Sequence, residues 1–205
     1  MTIIPTILAY DGDDFTKQYN AVEDLSDSIQ IDIADSSFGQ ETVALEKVDM
    51  PANKKIIFHL MVKKPDEYIA KLLPYKPHRI IIHAESQYNW SDIIVKIPRD
   101  ILGLAINPET NLDIVSDKLA AISELLIMTV EPGKQGREFD EKQLAKIKYI
   151  KSKNVSALAS ADGGINADNI SDVKAAGADI AYVGSVLTGD NPSGEYQKLI
   201  SIISQ

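Results

Sequence analysis

Short apolar runs and polar stretches of helical period alternate along this chain from end to end. Strands rich in Ile, Leu and Val are expected over residues 3–8, 28–33, 55–62, 79–83, 101–106, 124–130, 155–161 and 179–183. Most of these runs are apolar at successive positions, which suits a parallel sheet covered by helices, because neither strand face then meets water. Helices are expected from the Asp11-Gly12-Asp13-Asp14 start to residue 25, from Pro65 to residue 73, and over 90–97, 112–119, 139–153, 166–176 and 194–203. Pro65 suits a first helical turn, where its missing N–H would lack a partner anyway. The stretch 139–153 carries the clearest pattern. Glu138, Asp140 and Glu141 sit at its start and Lys148, Lys151 and Lys153 at its end, as the helix dipole favours, while Leu144, Ile147 and Ile150 keep one apolar face. Gly177 stands where the helix over 166–176 should stop, a natural C-terminal cap. A polar loop is expected over 35–51.

Eight β/α units fit a closed α/β barrel of the (β/α)8 TIM type, one domain spanning residues 1–205. The alternative is an open doubly wound sheet. It usually has fewer strands at this length, and no Gly-x-Gly-x-x-Gly follows the first strand. No linker-like or low-complexity segment interrupts the pattern.

Composition narrows the partners. A net charge of -9 argues against nucleic acid or an anionic membrane as the main partner, so a bound phosphate would depend on local backbone dipoles. The absence of cysteine excludes disulfides, Cys-zinc sites and thiol catalysis. No basic leader and no run approaching about 20 apolar residues is present, so a soluble, cytoplasmic protein is expected.

In such a barrel the C-terminal strand ends face one mouth, where chemistry resides. Those ends carry Thr6, then Gln30, Asp32 and Asp35, then His59 and Met61, then His83 and Glu85, followed by Asn107, Met128, Glu131, Asp162, Gly184 and Ser185. In Asp162-Gly163-Gly164 a carboxylate leaves a buried strand beside two glycines whose N–H groups can approach an anion, with a helix expected to open at Asn166. Gly184-Ser185 is a second such turn, although glycine would equally serve a plain tight connection at either place. Asp32 and Asp162 lie on strands nearly opposite each other around the ring. Each is therefore placed to handle a proton on its own face of a flat intermediate, which inverts a carbon. Together with His59 they suit a divalent metal that would neutralise an enediolate oxygen. Plainer roles exist for several of these residues. His59 also fits a hydrogen-bonded core histidine, Met61 and Met128 fit core packing, Asp35 a loop cap, and His78 the surface.

The blocks Pro5-Thr6-Ile7-Leu8, Gln30-Ile31-Asp32-Ile33-Ala34-Asp35, His59-Leu60-Met61-Val62 and Ile82-His83-Ala84-Glu85 occur in order. Gly103-Leu104-Ala105-Ile106-Asn107-Pro108, Met128-Thr129-Val130-Glu131-Pro132-Gly133, Asp162-Gly163-Gly164 and Val183-Gly184-Ser185 follow them. Together they resemble the ribulose-phosphate 3-epimerase family over almost the whole chain. The resemblance implies a barrel that interconverts D-ribulose 5-phosphate and D-xylulose 5-phosphate, using two aspartates and a divalent metal (zinc, iron or manganese), in a homo-oligomer. It places the acid/base pair on Asp32 and Asp162, and the metal on Asp32, His59 and Asp162 with Gln30 at a fourth ligand position. It places substrate contacts on Thr6, Met61 and Met128, and phosphate contacts on backbone around Gly133, Gly136, Gly163, Gly164, Gly184 and Ser185.

The chain departs from the family where Thr6 replaces Ser, Gln30 replaces a metal-binding His and Ala34 replaces Met, the last expected to open space beside the sugar. Its loop Gly133-Lys134-Gln135-Gly136 is also poorer in glycine. Two other readings compete: a barrel with a weakened or lost metal site that binds a phosphosugar without epimerising it, or epimerises a different one, and a related decarboxylase or aldol-type synthase. The second needs an Asp-x-Lys-x-x-Asp pattern, and Asp32 is followed by Ile33 and Ala34 with no such lysine.

Overall fold

In the computed structural model, which describes residues 1–132, 138–153 and 155–205, eight parallel strands close into a ring. They are β1 (Thr2–Ile7), β2 (Ser28–Ala34), β3 (Lys55–Met61), β4 (Arg79–His83), β5 (Leu102–Ile106), β6 (Glu124–Met128), β7 (Leu158–Asp162) and β8 (Ile180–Val183). Each pairs with its sequence neighbours, and β8 returns to β1 with Ile4 opposite Tyr182, so no edge strand is left open. The α-helices are α1 (Gly12–Val22), α2 (Asp66–Leu72), α3 (Trp90–Lys96), α4 (Leu144–Ser152), α5 (Ile170–Ala175) and α6 (Pro192–Ile203). The fold is the expected (β/α)8 barrel.

Two apolar populations result from the two-residue period of a strand. Outward positions such as Ile29, Ile31, Phe58, Leu60, Ile80 and Ile82 pack under the helices in one large cluster. Inward positions such as Ile4, Ile57, Ile81, Leu126 and Met128 fill the barrel. The buried polar residues Thr6, Gln30, Asp32, His59, His83 and Asp162 all share the inward parity. A single-residue slip in any strand would exchange these sets, and that fixes the register strongly.

The floor of the barrel is polar as well. The Arg79 guanidinium pairs with Glu124, whose carboxylate also accepts from the Ser160 and Tyr182 hydroxyls, all of them buried. Gly103 makes room for this layer, because a Cβ there would lie 2.9 Å from Ile81 Cγ1.

Helix starts follow their caps. Asp11 accepts from the Asp14 amide at 2.8 Å, Asn89 from Ser91, and Asn191 from Gly194 ahead of Pro192. Three expected helices come out shorter. Residues 112–119 form two 3-10 turns, Leu112–Val115 and Leu119–Ala121, instead of one α-helix. The stretch 139–153 is a 3-10 turn, Glu141–Gln143, leading into α4. Asp140 has extended backbone and caps that turn, so the helix cannot start earlier. The helix expected at Asn166 begins at Ile170, after a turn in which Asn169 accepts from the Asn166 amide. Gly177 does end α5, with φ +93 and its amide on Lys174. The 35–51 loop contains one 3-10 turn, Leu45–Lys47, and folds back over the mouth through Thr42 N–H to Ala34 and Val43 N–H to Ala9.

Candidate active site

Strand register brings the polar residues together. Asp32 lies opposite His59 across β2 and β3, Thr6 opposite Gln30 across β1 and β2, and Asp162 ends β7 beside Met128 of β6. The Gln30 side-chain amide sits at the centre of this group. Its Nε2 donates to Asp32 Oδ1 at 3.0 Å, to Asp162 Oδ2 at 2.6 Å and to Thr6 Oγ1 at 3.3 Å. His59 Nδ1 is 3.0 Å from Asp32 Oδ1 and 3.7 Å from Asp162 Oδ2. Two carboxylates from strands three steps apart around the ring thus meet at one point.

Exposure separates rim from base. Gln30 and His59 are fully buried, whereas Asp32 and Asp162 keep 9% and 7% of their surface, so the carboxyls are what an incoming molecule meets first. Burial pushes the Asp32 carboxyl up to about 8, against the hydrogen bond from Gln30. It pushes Asp162 up to about 7, helped by the Asp32 charge. Burial also drives His59 and His83 down to about 4. In this dry site the two acids therefore favour their protonated form and the two imidazoles their neutral form, unless a cation joins them.

The donor set suits such a cation. Ligand atoms of Asp32, His59 and Asp162 all lie within 4.8 Å of one another. Gln30 Oε1 is buried and without a hydrogen-bond partner, and turning the amide end for end would bring that oxygen to the same centre. A harder oxygen-and-imidazole set of this kind fits a divalent ion.

Around the group, Met61 is buried with Leu8 and Ala34, and Tyr10 and Phe38 pack on them. Phe38 thus packs on the cluster that contains Ala34, beside which the sequence suggests open space, and it also tilts onto the His83 ring at 4.9 Å between centroids. Met128 belongs to the barrel interior with Leu126 and Val130. Gly163 and Gly164 both have positive φ, +116 and +65. Thr129 Oγ1 donates to the carbonyls of Asp162 and Gly163, and the Asn169 amide donates to that of Gly164, so the turn is held rigidly at the mouth. Gly184 accepts from Leu187 in its own turn, and Ser185 is exposed. The expected phosphate contacts Gly133 and Gly136 lie outside the described residues. Asp35 is a loop tie, accepting from the Ser37 and Lys63 amides, and His78 is exposed. An open cleft of about 870 Å3 adjoins the mouth, lined by Phe38, Asn107, Thr110, Val130 and Glu138 among others.

The sequence argument placed His83 and Glu85 at the mouth without giving them a part. His83 Nε2 lies 2.9 Å from His59 Nε2, with the rings stacked, and Glu85 Oε1 accepts from the Asn107 amide. The available signal was parity: His83 falls on the inward side of β4, as His59 does on β3.

A parallel barrel with two carboxyls and an imidazole converging inside its C-terminal mouth has the build of a barrel enzyme. Residues 2–188 match the profile of the ribulose-phosphate 3 epimerase family, and the chain belongs to that family. Among curated relatives, the ribulose-phosphate 3-epimerase of Aquifex aeolicus is 31% identical over 198 residues, covering 91% of this chain and 89% of the relative. That of Mycobacterium bovis is 30% identical over 210 residues, covering 93% and 88%. The family and the names of these relatives support epimerase function. Solved structures share the fold at low identity. A 3-hexulose-6-phosphate synthase superposes with a TM-score of 0.68 at 13% identity, covering 99% of this chain and all of the other. KGPDC from Streptococcus mutans superposes with a TM-score of 0.69 at 14% identity, covering 98% and 96%. Among the described residues no helix is long and apolar enough to cross a membrane.

Proposed function

We propose that this chain interconverts D-ribulose 5-phosphate and D-xylulose 5-phosphate, one of Asp32 and Asp162 removing the C3 proton and the other giving its own proton to the opposite face. The observation that carries this reading is the convergence of both carboxyls on Gln30 Nε2 and His59 Nδ1 from separate strands. One carboxylate removes the proton from its side of C3, and the other, held protonated by burial, returns one from the far side. The raised affinities of both acids for a proton suit this exchange, since a carboxylate of ordinary acidity is a poor base toward a carbon acid. A divalent ion held by Asp32, His59, Asp162 and the turned Gln30 carbonyl would supply positive charge for the enediolate that forms between the two transfers. Met61 and Met128 give the sugar an apolar wall. The turns at Gly163-Gly164 and Gly184-Ser185 present backbone to the phosphate.

The test is turnover of ribulose 5-phosphate by protein loaded with Zn2+, Mn2+ or Fe2+, followed by coupled formation of xylulose 5-phosphate. Asp32→Asn and Asp162→Asn should each lower kcat by about 100-fold or more while leaving substrate binding measurable. Binding without turnover under every metal would replace this reading with that of a phosphosugar-binding barrel, which the inward-facing NH2 of Gln30 otherwise favours.

A further inference from the structure

Behind the carboxyl pair, side chains from β3, β4 and the turn that follows β4 form a line that ends on an anion. His59 Nε2 meets His83 Nε2 at 2.9 Å, and His83 Nδ1 faces Glu85 Oε2 at 3.5 Å. His83 Nδ1 and Glu85 Oε2 are both buried and make no well-formed hydrogen bond, with the Asn107 side chain also beside His83 and Thr110 beside Glu85. Both rings are fully buried, and Phe38 covers the outer face of His83. Glu85 is fastened at its other oxygen by the Asn107 amide at 2.8 Å.

A neutral imidazole carries one N–H, and the partner of one nitrogen decides the role of the other. A carboxylate only accepts, so the Glu85 charge 3.5 Å from Nδ1 favours the hydrogen of His83 on that nitrogen. His83 Nε2 is then a bare lone pair, and the 2.9 Å contact requires His59 to carry its hydrogen on Nε2. His59 Nδ1 is left bare, pointing at the carboxyls of Asp32 and Asp162. At 3.0 Å from Asp32 Oδ1 this sets two acceptors face to face, a conflict that only a proton on the acid or a cation between them relieves.

We infer that His83 and Glu85 are positioning residues that act through the ring of His59, fixing its tautomer so that Nδ1 offers a lone pair to a divalent cation between Asp32 and Asp162. The inference rests on the metal-assisted reading above and assigns parts to residues which that reading does not use. Outer partners of this kind typically change metal affinity by about 10- to 100-fold.

The direct measurement is long-range 1H–15N correlation of the histidine rings in metal-free protein near neutral pH, where bare and protonated ring nitrogens are well separated. The chain has three histidines, and His78→Gln removes the signals of the exposed one. The expected result is His59 protonated on Nε2 and His83 on Nδ1. Glu85→Gln, which offers an N–H in place of the anion, should reverse both rings and weaken Zn2+ binding by about 10- to 100-fold, with Glu85→Asp recovering part of the loss. Wild-type protein with His59 protonated on Nδ1 overturns the inference, whether or not any variant folds. Unchanged ring states and Zn2+ affinity in folded Glu85→Gln also overturn it. The tautomer readout needs no turnover. A protein inactive on ribulose 5-phosphate that shows the expected ring states would sink the epimerase reading alone, and an active one with reversed rings would sink only this inference.

Discussion

Gln30 shows what one amide does in a site where an imidazole is the expected residue. Its NH2 group bridges Asp32 and Asp162 while its carbonyl stays buried without a partner. As long as no cation is present, this orientation is favourable, because a donor between two acids relieves their mutual repulsion. If Gln30 is a ligand as proposed, metal binding would turn the amide and give up those two hydrogen bonds, and an amide oxygen is also a weaker ligand for zinc than imidazole. Gln30→His removes both costs. It should tighten Zn2+ binding by about tenfold or more, read by competition against a chromophoric chelator, and unchanged affinity would show that Gln30 lies outside the ion's reach. At this scale the sequence revealed which residues reach the mouth, since residue type and strand position are one-dimensional facts. It did not reveal which end of the amide points inward, or that His83 stacks on His59. Those depend on how neighbouring strands are staggered, and no single strand carries that information.

The turn after β7 is the element on which the site depends most. At Gly163, φ is +116, and a Cβ there would lie 2.4 Å from Val130 Cγ2. Backbone strain and the clash act together, so Gly163→Ala should lower stability by roughly 2–4 kcal/mol in urea unfolding. Adding Val130→Ala should recover the part due to the clash and leave the part due to φ. The expected strands all exist, because eight short apolar runs leave few alternatives to a buried parallel sheet. Helices were less legible. The 112–119 segment has only a few apolar positions to bury, and 3-10 turns place Val115 in the core as well as an α-helix would. Acidic residues at 138–141 mark a 3-10 turn that leads into the helix, and not the helix start expected at 139. Asp140, as a capping side chain on extended backbone, simply moved that start inward.

For the molecule as a whole, the buried acids and imidazoles make stability depend on pH in opposing ways. Asp32 and Asp162 hold protons in the folded state at pH values where the unfolded chain has released them, so their contribution falls as pH rises from the ordinary carboxyl range to about 7 and 8. His59 and His83 are neutral when folded but protonated when unfolded below 6.5, so theirs rises between about 4 and 6.5. Two groups of each kind roughly cancel below 6.5, and above it the acids act alone. Metal-free protein should therefore lose stability between about pH 6.5 and 8 in thermal or urea unfolding. Saturating Zn2+ should abolish that decline, because the bound ion takes the place of the protons. A flat profile in the chelated protein would mean that the acids are better solvated than their burial indicates.

The layer of Arg79, Glu124, Ser160 and Tyr182 seals the lower end of the lumen like a stopper in a flask. Among the described residues, water and any bound molecule then share the opposite end as their doorway. On the proposed reading, a substrate filling that doorway would stand between the acids and bulk solvent, so that the two carboxyls exchange hydrogens chiefly with each other and with what they have bound.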